Sequence, residues 1–175
     1  PIHLLEKWEW TEEELPAITQ NKIFSLKDQQ KYSFSEIILK LLSNPSIASK
    51  SWVYRQYDSQ VQSNTVFKPG DADAALIRLR RQDEKNKNNE FSGVAASVDC
   101  NSRWVLLDPY RGSIAAVAES ARNVSCVGAQ PIAITNNLNF SSPETEIGYW
   151  QLASACDGIS KACIALETPV TGGNV

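Results

Sequence analysis

The sequence predicts an α+β fold: a mixed sheet with helices on one face, preceded by a helical linker. Three observations predict it. The first fifty residues carry helix signals without a strand pattern, short apolar strands separated by turns follow from Val61, and two long apolar stripes at helical spacing begin after Asp108 and Ser142. The element order is strand, strand, strand, helix, strand, helix, strand, which is typical of a sheet covered by helices. We therefore expect a linker over residues 1–50 and a domain over residues 51–175.

The linker is predicted to be helical because it contains two capping boxes. In Thr11 with Glu14, and in Ser33 with Glu36, a hydroxyl and a carboxylate can satisfy the free amides at a helix start. After Ser33 the apolar side chains fall on one helical face, and Asn44-Pro45 stops the run. These apolar residues are Phe34, Ile37, Ile38, Leu41 and Leu42. A second short helix that carries Trp52, Val53 and Gln56 is expected to end before Tyr57.

Three strands are predicted next, over residues 61–67, 74–80 and 94–98. A Lys68-Pro69-Gly70-Asp71 turn joins the first two. Residues 82–90 are polar throughout, which predicts a solvated hairpin loop. Asp99 is expected directly after the end of the third strand.

Two long helices are predicted in the second half of the chain. Asp108-Pro109 combines a capping carboxylate with a proline in the first turn, and Gly128 is expected to end that helix. Ser142-Pro143 repeats the same start signal. The two stripes are Ile114, Val117, Ala118, Ala121 and Val124, then Leu152, Ala155, Cys156, Ile159, Cys163 and Leu166. Strands are expected over residues 131–136 and 168–171. Cys156 and Cys163 are therefore interpreted as core residues and not as nucleophiles.

Composition excludes several classes of function. The net charge of −3 gives no electrostatic reason to bind nucleic acid, and no apolar run is long enough to cross a bilayer. The four cysteines form no CxxC pair, and the only histidine is His3, so a zinc site and an internal imidazole base are not expected. We expect a cytoplasmic protein. The start at Pro1, the lack of methionine and the stop after Gly-Gly-Asn predict a fragment cut at both ends.

Polar groups that could carry chemistry fall at the ends of predicted strands. They are Asp73, Asp99, Asn136 and Asn174, with Gly173 beside the last. Strand ends in open sheets usually border the ligand crevice. Two glycines before Asn174 let the backbone approach a phosphate, and the amide oxygen of Asn174 is a hard ligand that suits magnesium. The alternatives are a tight turn for Gly-Gly-Asn and a turn held by an Asp-Arg pair for Asp99.

Five segments in order resemble the second half of the large subunit of the phosphoribosylformylglycinamidine synthase family. The match extends from about Ser46 to the end of the chain. The segments are residues 56–66 (QYDSQVQSNTV), 99–110 (DCNSR with LDPY), 121–131 (ARNV with GAQP), 138–140 (LNF) and 169–175 (PVTGGNV).

The resemblance implies a fold and a reaction. Residues 51–175 would be an N-terminal domain of the kind found in aminoimidazole ribonucleotide synthetase, and the equivalent domain in the first half of the same subunit would cover its sheet. The family is a C–N ligase of de novo purine biosynthesis. It uses ATP to phosphorylate the amide oxygen of formylglycinamide ribonucleotide, and ammonia from a glutaminase subunit or domain then displaces phosphate. The family's catalytic histidines lie in the first half, so no catalytic residue is expected in this chain and the isolated fragment is expected to be inactive.

The resemblance also implies the binding residues. The position of Asn136 and the backbone of Gly173 would contact ATP, and Asn174 would bind Mg²⁺. Many relatives have aspartate at position 136. Asp99 and Asn123 align with metal-associated positions of the wider superfamily. They are weaker candidates for a binding role than Asn136, Gly173 and Asn174. The alternative is a non-catalytic scaffold half that holds a structural nucleotide. An isolated fragment would expose an apolar sheet face, on which a homodimer can form.

Overall fold

The computed structural model describes residues 32–79 and 92–175. The expected capping box at Thr11 and the expected loop over residues 82–90 lie outside this part of the chain. The described residues fall into two compact units, residues 32–58 and residues 59–79 with 92–175.

The smaller unit contains two helices, α1 (Phe34–Leu42) and α2 (Ser51–Tyr54). The capping box at the start of α1 is confirmed. The Ser33 amide donates to Glu36 Oε2 at 2.7 Å, and the Glu36 amide donates to Ser33 Oγ at 3.3 Å. The Ser33 amide and the Ser33 hydroxyl both donate to the Glu36 carboxylate, and these two bonds lower the pKa of Glu36 below its ordinary value because they favour the ionised form. No residue of α1 is buried within the described structure, and most of its apolar side chains are exposed, with Ile37 half-buried.

The larger unit begins with three antiparallel strands, β1 (Thr65–Phe67), β2 (Ala75–Leu79) and β3 (Ser92–Ala96), in the order β1-β2-β3. The predicted turn over Lys68–Asp71 is present, with Gly70 at φ 91°. The prediction that the first strand begins at Val61 is wrong. Val61–Ser63 form a short 3₁₀ turn instead, and Gln62 and Ser63 have φ of 61° and 53°, which an extended strand cannot accommodate.

Two consecutive helices follow, α3 (Ser102–Leu107) and α4 (Pro109–Cys126). The Asp108-Pro109 start of α4 is confirmed, and the Asp108 carboxylate accepts from the Arg111 amide at 2.9 Å. Helix α3 was not predicted. Its cap is Asn101, whose side chain accepts from the amides of Arg103 and Trp104. Six residues are too few for a periodic apolar pattern to be recognised in the sequence.

The last elements are β4 (Ile134–Asn137), α5 (Glu146–Leu166) and β5 (Val170–Asn174). Strands β4 and β5 pair in parallel. The α+β class is confirmed, but the described strands form two sheets, β1-β2-β3 and β4-β5, and not one continuous sheet. The start of α5 is also corrected. Thr145, and not Ser142, is the N-cap, because its hydroxyl accepts from the Gly148 amide while Ser142 belongs to the preceding turn.

The core lies where α4 crosses α5. Its buried members are Val117, Ala162 and Cys163, with Ile114, Ile134 and Ile159 packed against them. The expectation of a buried thiol is confirmed for Cys163 and wrong for Cys156, which is exposed on the side of α5 that faces a groove. Leu166 is also 42% exposed, since the chain turns at Glu167, where φ is 55°. Among the described helices none is long and apolar enough to span a membrane.

Candidate functional site

The three residues expected to bind nucleotide and metal lie together at one end of the β4-β5 sheet. The strands are parallel neighbours, so their carboxyl ends meet at the same edge. Asn136 is the partner of Gly173, and Asn137 is the partner of Asn174. Beyond the strand end, the Leu138 amide donates to the Asn174 carbonyl at 2.8 Å, which continues the pairing. Asn136 and Gly173 are almost forty residues apart in the sequence, and the pairing of β4 with β5 brings them together.

The position of Asn136 follows from strand periodicity. Side chains alternate across a strand, so Asn136 shares a face with Ile134, two residues earlier. Ile134 packs against the core of α4 and α5. Asn136 is accordingly half-buried, while Thr135 and Asn137 are exposed. The carboxamide therefore projects from an anchored stretch of backbone, with its oxygen directly beside Gly173.

Asn174 is exposed at the last position of β5. Its amide oxygen is a hard ligand of the kind that Mg²⁺ binds. The described residues contain no group of three or more His, Cys, Asp or Glu side chains able to hold a metal ion. Magnesium needs few protein ligands when phosphate oxygens complete its coordination shell. The residues present therefore fit a cation that arrives with a phosphorylated ligand, and not an all-protein metal cage.

An open groove of about 620 Å³ runs between the second half of α5 and β5, with Asn136 on its wall. Its other lining includes Ile159, Ile164 and Val170, so the wall is mainly apolar. Two thiols also line it. Burial raises the pKa of Cys163 above the ordinary value. Cys156 is exposed at the surface, but neighbouring protein atoms still remove part of its hydration, which raises its pKa, and the charge of Asp157 adds to the rise. Both thiols are therefore protonated at neutral pH and are poor nucleophiles and poor metal ligands.

A second polar contact joins the end of the β1-β2-β3 sheet to α4. The Asn123 side chain donates to Asp99 Oδ1 at 2.7 Å, while Asp99 Oδ2 is buried without a partner among the described residues. Asp99 does not pair with Arg103, so the alternative of an Asp-Arg turn is wrong. Ser97 reinforces the contact, since its hydroxyl lies 2.9 Å from that of Ser120. Sequence reasoning missed Ser97, because a serine within the strand predicted over residues 94–98 carries no distinguishing signal.

Asp73 takes part neither in the group at the end of the β4-β5 sheet nor in the contact between Asp99 and Asn123. It is exposed in the turn that precedes β2, at the amino end of that strand. Because β2 is antiparallel to β3, with Ala75 opposite Ala96, Asp73 lies at the same edge of that sheet as the carboxyl end of β3. It is exposed there, and no hydrogen bond joins it to Asp99 or Asn123 among the described residues.

Comparison with known proteins places the chain among longer relatives. Residues 71–175 match the family model described as AIR synthase related protein, N-terminal domain. The chain is 98% identical over its whole length to the phosphoribosylformylglycinamidine synthase subunit PurL of Prochlorococcus marinus subsp. pastoris. It is 85% identical to the protein of the same name from strain MIT 9515. It spans 22% of the length of both relatives.

Solved structures from Thermotoga maritima also match most of this chain and a smaller part of their own chains. The PurLQS structure from Thermotoga maritima matches with a TM-score of 0.62 and 31% identity, over 73% of this chain and 20% of that chain. T. maritima PurL complexed with AMPPCP matches with a TM-score of 0.58 at the same identity and coverage. T. maritima PurL has also been solved in complex with ADP and with FGAR.

Proposed function

The chain belongs to the AIR synthase related protein family, and from this premise we propose that it is part of phosphoribosylformylglycinamidine synthase. This enzyme would be an ATP-dependent C–N ligase that converts formylglycinamide ribonucleotide to formylglycinamidine ribonucleotide with glutamine-derived ammonia. The 98% identity to a subunit of that name supports the proposal. The partners would be the first half of the same subunit and a glutaminase subunit or domain. Residues 51–175 would form the N-terminal domain of the second half, with residues 1–50 as the linker.

Within this enzyme, Asn136 and Gly173 are proposed to contact ATP and Asn174 to bind Mg²⁺. The single observation that carries the assignment is the adjacency of these residues at the carboxyl ends of two parallel strands. Phosphoryl transfer depends on positioning and on stabilising charge, and magnesium supplies the cationic part of that stabilisation when bound. The residues of this chain would hold and orient the nucleotide. We assign no catalytic residue here, and we propose that the isolated chain is inactive.

Replacement of Asn174 by alanine tests the metal assignment. In the full-length subunit we expect the variant to bind AMPPCP about tenfold more weakly in the presence of Mg²⁺, since one lost ligand of about 1.4 kcal/mol corresponds to that factor. Without Mg²⁺ the two proteins should bind equally. Isothermal titration calorimetry with and without MgCl₂ makes the measurement.

Thr171→Ala is the matched control, because Thr171 lies exposed on the same strand. It should leave the magnesium dependence unchanged. If Asn174→Ala keeps the full magnesium effect, Asn174 is not the metal ligand.

A second candidate function is a scaffold half that holds a structural nucleotide. The unpartnered Asp99 Oδ2 beside Asn123 favours it, because a bound cation would satisfy a buried carboxylate oxygen. Turnover separates the two candidates. Unchanged turnover after Asn174→Ala, together with nucleotide that stays bound through gel filtration, would favour the scaffold.

We also propose that the isolated chain forms a homodimer. Ile77, Leu79 and Val94 lie on one face of the β1-β2-β3 sheet and are each about half exposed, which leaves an apolar surface open to water. Sedimentation equilibrium should show a dimer at micromolar concentration, and Val94→Lys should shift it to monomer by placing a charge in the contact. Ile132→Lys is the control, since Ile132 is 73% exposed outside both sheets. A chain that stays monomeric at every concentration contradicts the proposal.

A cytoplasmic location belongs to the same proposal. All four cysteines are free thiols, as is usual for proteins of reducing compartments.

A further inference from the structure

Gly173 lies closer to a neighbouring side chain than any residue with a Cβ could. A Cβ added there would stand 1.8 Å from Asn136 Oδ1 and 2.8 Å from Asn136 Cγ. It would also stand 2.6 Å from the Asn136 carbonyl oxygen. Separations this short are well inside van der Waals contact, so a side chain at position 173 would force the Asn136 carboxamide to another place.

Space, and not backbone conformation, accounts for glycine at this position. The positive-φ glycines of the described chain are Gly70 and Gly128, and Gly173 is not among them. The neighbouring Gly172 provides the contrast, since a Cβ there would meet nothing within 4 Å. Of the two consecutive glycines, only Gly173 is therefore required by its surroundings.

The Asn136 backbone has little freedom to retreat from a larger neighbour. Ile134 is packed into the core two residues earlier. The pairing continues past the strand end through the bond from the Leu138 amide to the Asn174 carbonyl. With the backbone held on both sides, the side-chain torsions of Asn136 would relieve the conflict with its carboxamide, while the conflict with its carbonyl oxygen would require a shift between the two strands.

We propose that Gly173 is a positioning residue: its missing side chain lets the Asn136 carboxamide lie against β5, where it can hydrogen-bond a bound nucleotide. This inference rests on the proposed function, which gives Gly173 only a backbone contact with ATP. A carboxamide offers both donors and an acceptor, so its orientation decides which ligand atoms it can pair with. Any side chain at position 173 would change nucleotide affinity through Asn136.

A double-mutant cycle in the full-length subunit separates the two roles of Gly173. Binding of ADP and AMPPCP is measured by calorimetry for the wild type, Gly173→Ala, Asn136→Ala and the double variant. We expect Gly173→Ala to weaken binding about tenfold when Asn136 is present and by several-fold less in the Asn136→Ala background, where only the conflict with the carbonyl oxygen of residue 136 remains. Asn136→Asp has the same shape, so it should keep the full sensitivity to Gly173→Ala. Additive losses in the double variant would show that Gly173 acts through its own backbone, which overturns the inference.

Thermal unfolding provides a second test if Gly173→Ala is too unstable for a binding measurement. Asn136→Ala should then restore part of the lost stability of the double variant, because the 1.8 Å conflict disappears and the 2.6 Å backbone conflict remains. A double variant that is as unstable as Gly173→Ala alone would overturn the inference. Failure of the proposed function looks different, since the wild-type subunit itself would then bind neither ADP nor AMPPCP.

Discussion

Gly158→Ala is expected to destabilise the protein by about 2–3 kcal/mol or more, because it overpacks the crossing of α4 and α5. A Cβ at position 158 would lie 2.2 Å from the Tyr110 carbonyl oxygen and 3.2 Å from Ser113 Cβ. The carbonyl belongs to the first turn of α4 and cannot rotate away as a side-chain end could. Alanine gains only about 1 kcal/mol over glycine in a helix interior, which is too little to offset the conflict.

Urea-induced unfolding followed by circular dichroism measures this effect. Gly172→Ala is the control, since it adds the same methyl group in a place where nothing lies within 4 Å. We expect its midpoint to stay close to that of the wild type. Equal midpoints for the two variants would mean that α4 and α5 do not cross as closely as the structure shows.

The sequence was sufficient to predict those elements whose signals are local. The capping box of Ser33 and Glu36, the proline start at Asp108 and the Lys68–Asp71 turn each depend on neighbouring residues, and each is present. The errors arose where local signals compete. Ser142-Pro143 resembles a helix start, yet the chain makes one further turn and is capped at Thr145.

Long-range pairing could be predicted only through family resemblance. Nothing in the local pattern joins Asn136 to Gly173, and their adjacency depends on which two strands pair and in which register. The contact between Asp99 and Asn123 has the same origin, because it needs α4 to pass the end of β3. The roles of Asn136, Gly173 and Asn174 in ligand binding stay predictions.

Cys156 shows the limit of a periodic pattern. The spacing of apolar residues along α5 correctly marks a helix with one buried face, on which Ala155 and Cys163 lie. Periodicity does not show how far that face is covered. The packing of other elements against this face of α5 ends at the groove beside β5. Cys156 is therefore exposed, although it belongs to the predicted stripe.

Gly112→Ala is expected to lower the free energy of unfolding by about 2–3 kcal/mol or more, because the added methyl group conflicts with α3 and not with α5. A Cβ at position 112 would lie 2.5 Å from the Val105 amide nitrogen and 2.7 Å from the Trp104 carbonyl carbon. These are backbone atoms, so α3 would have to move away from α4 as a unit.

The movement of α3 should have a local consequence that ordinary destabilisation lacks. Asn101 caps α3 and lies two residues after Asp99, so a displaced α3 pulls on the segment that holds Asp99 against Asn123. Hydrogen exchange should therefore rise first at the amides of Arg103 and Trp104, which donate to Asn101. Gly93→Ala is the graded control. Its Cβ would meet the movable end of Leu76 at 3.1 Å and the Ile77 carbonyl oxygen at 3.2 Å, both longer than the separations at position 112, so the loss of stability should be smaller. A uniform rise in exchange along α4 and α5, without an earlier rise in α3, would show that α3 does not depend on Gly112 for its position.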